Sequence, residues 1–229
     1  MGKTKVLIIG ASGLVGSEIL KAVEGNHQEI VIISRKKLLS KSQSTKEILI
    51  DFDNLQLSDI PKVNNVYIAL GTDLNTSELL YIKKSRRKEF KKVDYSYVIQ
   101  LAKMAYKLGA ESISIVSAVG ANKNSKNLYL KTNGEMEEEV ISIGYKKTIF
   151  AEPGHLLGNR PSKKFRPEVA IMEFAAKILK PIMIGPLEDL KFIEASSVAK
   201  SLVAHMNMQK IKFSDLNIRN WLMANIDAY

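Results

Sequence analysis

A short apolar strand that breaks into glycines spaced three apart constrains this chain more than any other feature. The run Lys5-Val6-Leu7-Ile8-Ile9 is followed by Gly10-Ala11-Ser12-Gly13-Leu14-Val15-Gly16, and apolar residues then return at helical spacing in Leu14, Ile19, Leu20 and Val23. These residues read as strand, tight turn and helix. Gly10 lets the strand turn sharply, Gly13 leaves room for a pyrophosphate to approach the backbone, and Gly16 lets the helix lie close to the strand. Free N–H groups and a partial positive charge at the helix N-terminus suit phosphate. The spacing G-x-x-G-x-x-G differs from the commoner G-x-G-x-x-G, but its place between a strand and a helix makes a dinucleotide site the expectation.

Apolar runs and amphipathic stretches alternate after that turn. A second buried strand, 29–34, runs from Glu29 to Ser34 and straight into Arg35-Lys36-Lys37. Where an acid would accept from a free ribose 2′-OH, cations suit a 2′-phosphate, so NADP(H) is expected in preference to NAD(H). Residues 48–52 read as a third strand, with Asp51 placed to accept from an adenine amino group beside Phe52. A fourth, 65–70, ends in Leu70-Gly71-Thr72, where a glycine again admits a close ligand. The polar stretch 73–81 reads as a flexible insertion.

From 85 to 108 apolar positions recur at three and four, giving one long helix stopped by Gly109. A fifth strand covers 112–117, a helix 128–143 carries Glu135, Glu137, Glu138 and Glu139 on its outer face, and a sixth strand, 147–151, leads into Glu152-Pro153-Gly154-His155. Six alternations of strand and helix predict an α/β fold with a doubly wound parallel sheet. Beyond it come a helix near 168–179, a turn at 184–186, an extended 191–193 and a helix over 196–206. The closing stretch 213–229, with Trp221, reads as a packing helix. The whole chain, 1–229, is expected to be one domain, with about 155–229 as a small extension over the substrate side of the sheet.

The 229 residues, 45% hydrophobic, suffice for a full core. The absence of cysteine excludes disulfides, thiolate metal sites and a cysteine nucleophile, and His27, His155 and His205 are too scattered to suggest a metal centre. No signal-like or membrane-spanning run is evident, so a cytoplasmic protein without a membrane partner is expected. The net charge of +10 is densest at Lys83, Lys84, Arg86, Arg87, Lys88, Lys91 and Lys92. No aromatic ladder accompanies these cations, so a solvated helix face beside a phosphate-binding edge is expected rather than a nucleic-acid surface.

The ordered set of Gly10-Ala-Ser-Gly-Leu-Val-Gly16, Ala69-Leu70-Gly71-Thr72, Phe90-Lys-Lys-Val93-Asp94, Val116-Ser117-Ala-Val-Gly120-Ala121, Tyr129-Leu130 and Pro153-Gly154-His-Leu156-Leu157-Gly158-Asn-Arg160 resembles the short-chain dehydrogenase/reductases. It is most similar to their atypical, Tat-interacting-protein-like branch, through nearly the whole chain. The resemblance implies a Rossmann fold binding NADP(H), with Ser117 and Tyr129 in the catalytic serine and tyrosine positions. Cofactor contacts are expected from Gly10, Ser12, Gly13, Leu14, Val15, Gly16, Ser34, Arg35, Lys36, Asp51, Phe52, Leu70, Gly71, Thr72, Pro153, Gly154 and His155.

In such enzymes a serine polarises a carbonyl, a tyrosine moves the proton, and a lysine four residues on lowers the tyrosine pKa and holds the nicotinamide ribose. Here Asn133 stands in the lysine's place, and it supplies no charge. Lys131 is roughly 200° around the helix from Tyr129 and faces elsewhere. Glu152 replaces the arginine that commonly precedes Pro-Gly, and Asp94 sits where many relatives place an asparagine. Two functions therefore stand open. One is an NADP(H)-dependent oxidoreductase on a small carbonyl or alcohol; the other is a non-catalytic NADP(H)-binding protein that regulates a partner. A monomer or a homodimer suits either.

Overall fold

The computed structural model describes residues 4–24, 29–38, 45–154, 156–157, 193–207 and 222–225. Six parallel strands, β1 (Lys5–Ile9), β2 (Glu29–Ser34), β3 (Thr45–Leu49), β4 (Asn65–Ile68), β5 (Ser112–Val116) and β6 (Lys147–Ala151), lie in the order β3-β2-β1-β4-β5-β6. The order reverses beside β1, which creates the crevice where α/β sheets bind ligands. A short pair, β7 (Leu156–Leu157) with β8 (Ile193–Glu194), stands apart.

Alternation along β1 builds two cores. Leu7 and Ile9 face one side, against α4 (Val98–Lys107) and α5 (Leu128–Ser142). Val6 and Ile8 face the other, against α1 (Leu14–Glu24) and α6 (Ala195–Asn207). All four are fully buried, as the inner strand of a sheet covered on both faces requires.

Four expectations need correction. The third strand is Thr45–Leu49 rather than 48–52, because it is an edge strand in register with β2, from Ile30↔Thr45 to Ser34↔Leu49. An edge tolerates Thr45, Lys46 and Glu47, which no apolar run would reveal. Asp51 ends it by accepting from Asp53 N at 3.0 Å and Asn54 Nδ2 at 2.7 Å. Within the supposed insertion lies α2 (Thr76–Leu80), opened by a capping box in which Glu78 N donates to Asn75 Oδ1 at 2.9 Å and Asn75 N to Glu78 Oε2 at 3.1 Å.

The long helix is instead α3 (Lys84–Lys91), a π-helical turn over Lys92–Tyr97, and α4. The extra residue of the π turn rotates Asp94 inward, to 8% exposure. Last, within the closing stretch, Leu222–Asn225 form a strand, β9, antiparallel to β6 with Thr148 opposite Asn225. The expected helix near 168–179, the turn at 184–186, His27, Trp221 and residues 191–192 lie outside the described residues. The helix expected over 196–206 is α6.

Candidate functional site

The glycine turn is built by close contact. Gly10 has φ +89°, and a Cβ there would stand 2.4 Å from Ala69 O. A Cβ on Gly16 would stand 2.1 Å from Gly10 O, so only glycine lets α1 start against β1. Gly13 N donates to Gly10 O at 2.9 Å and closes the turn. Above it opens a cavity of about 390 Å³. Ser12, Gly13, Leu14 and Val15 form one wall, Leu70, Gly71 and Thr72 the floor, and Ser117, Tyr129, Asn133 and Pro153 the far end. Eleven expected site residues thus meet there, and the cradle that side chains would fill fits a dinucleotide at a helix N-terminus.

Gly10 and Gly16 lie beneath the turn rather than in the cavity lining. Ser34 is 6% exposed and its hydroxyl lies 2.8 Å from Glu47 Oε1, which also accepts from Leu38 N at 2.6 Å. A carboxylate from β3 therefore stands at the end of β2, although β2 itself carries none there; Arg35 and Lys36 are exposed beside it. Asp51 is exposed and Phe52 is buried, packed edge-on to Tyr97 at 5.4 Å, so neither lines the cavity. Gly154 lies outside the lining, and His155 lies outside the described residues.

At the far end the electrostatics run against an ionised tyrosine. Tyr129, tilted against Phe90 at 6.1 Å, has its pKa pushed up to about 12 by burial and by Asp94. Asn133 Nδ2 donates to Tyr129 O at 2.9 Å, so one of its two N–H donors is taken by the helix backbone. Lys131 faces away as expected, 3.7 Å from Glu135. Asp94, a cavity residue, accepts from Thr72 N at 2.8 Å and Thr72 Oγ1 at 2.5 Å, yet burial raises its pKa to about 6.

Sequence reasoning misplaces one carboxylate, Glu137, and singles out a second, Glu152, without its setting. Glu137 is not on the outer face of α5; it is 7% exposed and accepts the Ser117 hydroxyl. Spacing held the signal, since 129, 133 and 137 repeat at four and share a face. Glu152 carries a buried Oε1 without a hydrogen-bond partner among the described residues, and burial followed by the charge of Glu137 raises its pKa to about 7. A carboxyl with a raised folded-state pKa binds its proton more tightly when folded, so its contribution to stability is greatest in acid and is lost as pH rises from about 4.5 to about 7. The melting temperature of Glu152→Gln should therefore pull ahead of the parent's between pH 4.5 and pH 8. Discounted for partial exposure, the gap should be roughly 2–4 °C by thermal denaturation.

In the basic cluster, Arg86 pairs with Glu78, Arg87 Nε donates to Ile82 O at 2.9 Å, and Lys92 lies 2.5 Å from Asp53. These three cations thus hold local structure together.

A parallel sheet in this order, with a glycine-cradled cavity at its switch point and a serine and tyrosine beyond, defines a short-chain dehydrogenase/reductase-like Rossmann protein. The chain belongs to the NAD dependent epimerase/dehydratase family, whose profile matches residues 6–180. It is 35% identical over 161 residues to the mitochondrial protein FMP52 of Candida albicans, covering 67% of each chain. To that of Lodderomyces elongisporus it is 31% identical over 212 residues, covering 86% of this chain and 84% of the relative.

Solved structures share the fold. MoeE5 in complex with UDP-glucose and NAD superposes with a TM-score of 0.67 at 17% identity, over 91% of this chain and 73% of that one. A short-chain dehydrogenase from Streptomyces avermitilis gives 0.64 at 16% identity, over 93% and 86%. The expectation of a cytoplasmic protein is corrected, because the FMP52 relatives are named as mitochondrial. No described helix is long and apolar enough to cross a membrane.

Proposed function

We propose that the chain binds NADP(H) along the cavity and reduces a small carbonyl compound, in the mitochondrion. The observation that carries this reading is the single cavity joining the glycine cradle to Ser117 and Tyr129. Ser12 to Val15 would hold the pyrophosphate and Leu70 to Thr72 would flank the nicotinamide side, while Arg35 and Lys36 would meet a 2′-phosphate. A bound reduced cofactor supplies hydride. Tyr129, with a pKa of about 12, stays protonated at neutral pH, so the form present is the acid that a carbonyl oxygen needs, and a weaker one than an ordinary tyrosine. Residues 1–229 would act as one unit, as monomer or homodimer.

A second reading, a non-catalytic NADP(H)-binding regulator of a partner protein, is favoured by Asn133, whose amino group is engaged and which carries no charge. Thermal denaturation with NADPH and with NADH tests the cofactor, and NADPH oxidation with a carbonyl panel tests the chemistry. Specific binding should add about 2.7 kcal/mol at a hundredfold excess over Kd. NADPH should stabilise more than NADH; an equal effect would remove the 2′-phosphate assignment, and Glu47 beside Ser34 would explain it. Binding without turnover would select the regulator.

A further inference from the structure

Ser117, Glu137 and Glu152 converge on one face of the sheet from three elements. Ile113 and Ile115 of β5 face α5, and alternation carries that face on to Ser117. Phe150 of β6 faces α5 as well, and alternation carries it on to Glu152. The register Val116↔Ala151, continued by Ser117 N donating to Ala151 O at 2.7 Å and Val119 N to Pro153 O at 3.1 Å, sets Ser117 and Glu152 side by side. Glu137 reaches the same place from α5 and accepts the Ser117 hydroxyl.

The other acids of α5 all have cations. Glu135 pairs with Lys131 at 3.7 Å, Glu138 with Lys123 at 2.9 Å and Glu139 with Lys103 at 2.5 Å. Among the described residues Glu137 has Ser117, and the buried Oε1 of Glu152 has no hydrogen-bond partner. Two neighbouring carboxyls without a cation among the described residues do not ionise independently; they titrate as a pair.

We propose that Glu137 and Glu152 share one proton, and that Glu137 is the positioning residue through which this proton sets the direction of the Ser117 hydroxyl. With the proton on Glu152, ionised Glu137 takes the Ser117 hydrogen, and Ser117 turns only lone pairs to the cavity. When the proton passes from Glu152 to Glu137, Glu137 donates to Ser117 Oγ and the Ser117 hydrogen is released toward the cavity. Only in the second arrangement does Ser117 donate to a substrate carbonyl. The pair's net charge is the same in both. Burial raises the pKa of Glu137, and burial with Glu137's charge raises that of Glu152, as a shared proton requires.

The relevance to turnover rests on the oxidoreductase reading; the shared proton does not. Infrared spectra of the full chain carrying Asp94→Asn, which removes the cavity carboxyl whose pKa of about 6 lies in the same range, should show a protonated-carboxyl band at pH 6 that is lost by pH 9. In that background Glu152→Gln and Glu137→Gln should each lose the band at a lower pH than the parent, because the remaining carboxyl stays buried but no longer faces its neighbour's charge. A band that titrates at an unchanged pH in both variants overturns the proposal. Circular dichroism of each variant separates misfolding from loss of the proton.

In a reductase assay the parent kcat should fall about tenfold per pH unit above the pair's titration. Glu137→Gln, whose amide donates to Ser117 Oγ as the protonated acid does, should abolish that decline with KM unchanged. A decline that persists in Glu137→Gln overturns the link to Ser117. Absence of turnover throughout, with the infrared result as expected, would sink the oxidoreductase reading and leave the shared proton standing.

Discussion

Gly16→Ala should strip the chain of both its stability and its cofactor response. The new Cβ would stand 2.1 Å from Gly10 O, 2.7 Å from Gly10 C and 3.1 Å from Ala11 Cα, all backbone atoms. A flexible side chain could swing away, but these atoms belong to the turn that fixes β1 against α1. Either α1 lifts from the sheet or the turn opens. Overpacking of this kind costs about 3 kcal/mol or more, a large share of ordinary domain stability. The check is the melting temperature with and without NADPH, with Gly71→Ala as a contrast. A Cβ at Gly71 meets Asp94 Oδ1 at 3.6 Å, an ordinary contact, so that variant should keep its fold. A Gly16→Ala protein that melts with the parent and still responds to nucleotide would show that the cradle is built otherwise.

Asn133→Lys carries the second large effect, in the opposite direction. Residue 133 lies one turn beyond Tyr129 on the same face of α5. A cation there opposes the burial and the Asp94 charge that hold the tyrosine near 12. Asp94, within the same cavity, gives the new ammonium a partner. General acid–base assistance is worth about 10²–10⁴-fold, so kcat for carbonyl reduction should rise by about a hundredfold, and alcohol oxidation should become measurable. Some stability is lost, because position 133 is only 6% exposed. An unchanged rate in a folded variant would mean that another group already performs the lysine's task.

How far these features were legible before the structure depended on the physics behind each. The strand, turn and first helix were plain because backbone contact permits little but glycine at Gly10 and Gly16. Ser117, Tyr129 and Asn133 share one cavity with the glycine turn, a meeting that strand order rather than local sequence produces. The third strand was misplaced because an edge strand with intermediate and exposed side chains carries no strong apolar signal. The α2 cap was written in Asn75 and Glu78, three residues apart, within a stretch whose polarity suggested no structure at all. Glu137 was hidden by company: three neighbouring acids do face lysines, and composition alone could not separate the fourth from them. The carboxylate at the end of β2 was unreadable locally, since it is brought there by strand pairing with β3.

The π turn over Lys92–Tyr97 bears on how this helix is compared across relatives. One residue in an α-helix is worth about 100° of rotation, so the turn works as a one-residue change of frame between α3 and α4. A relative with an unbroken helix here would match by inward-facing positions on only one side of the turn. A gapless alignment would then assign Asp94 the counterpart of a neighbour instead. Kinship at this helix is therefore better judged by which side chain enters the cavity than by which letter shares a column.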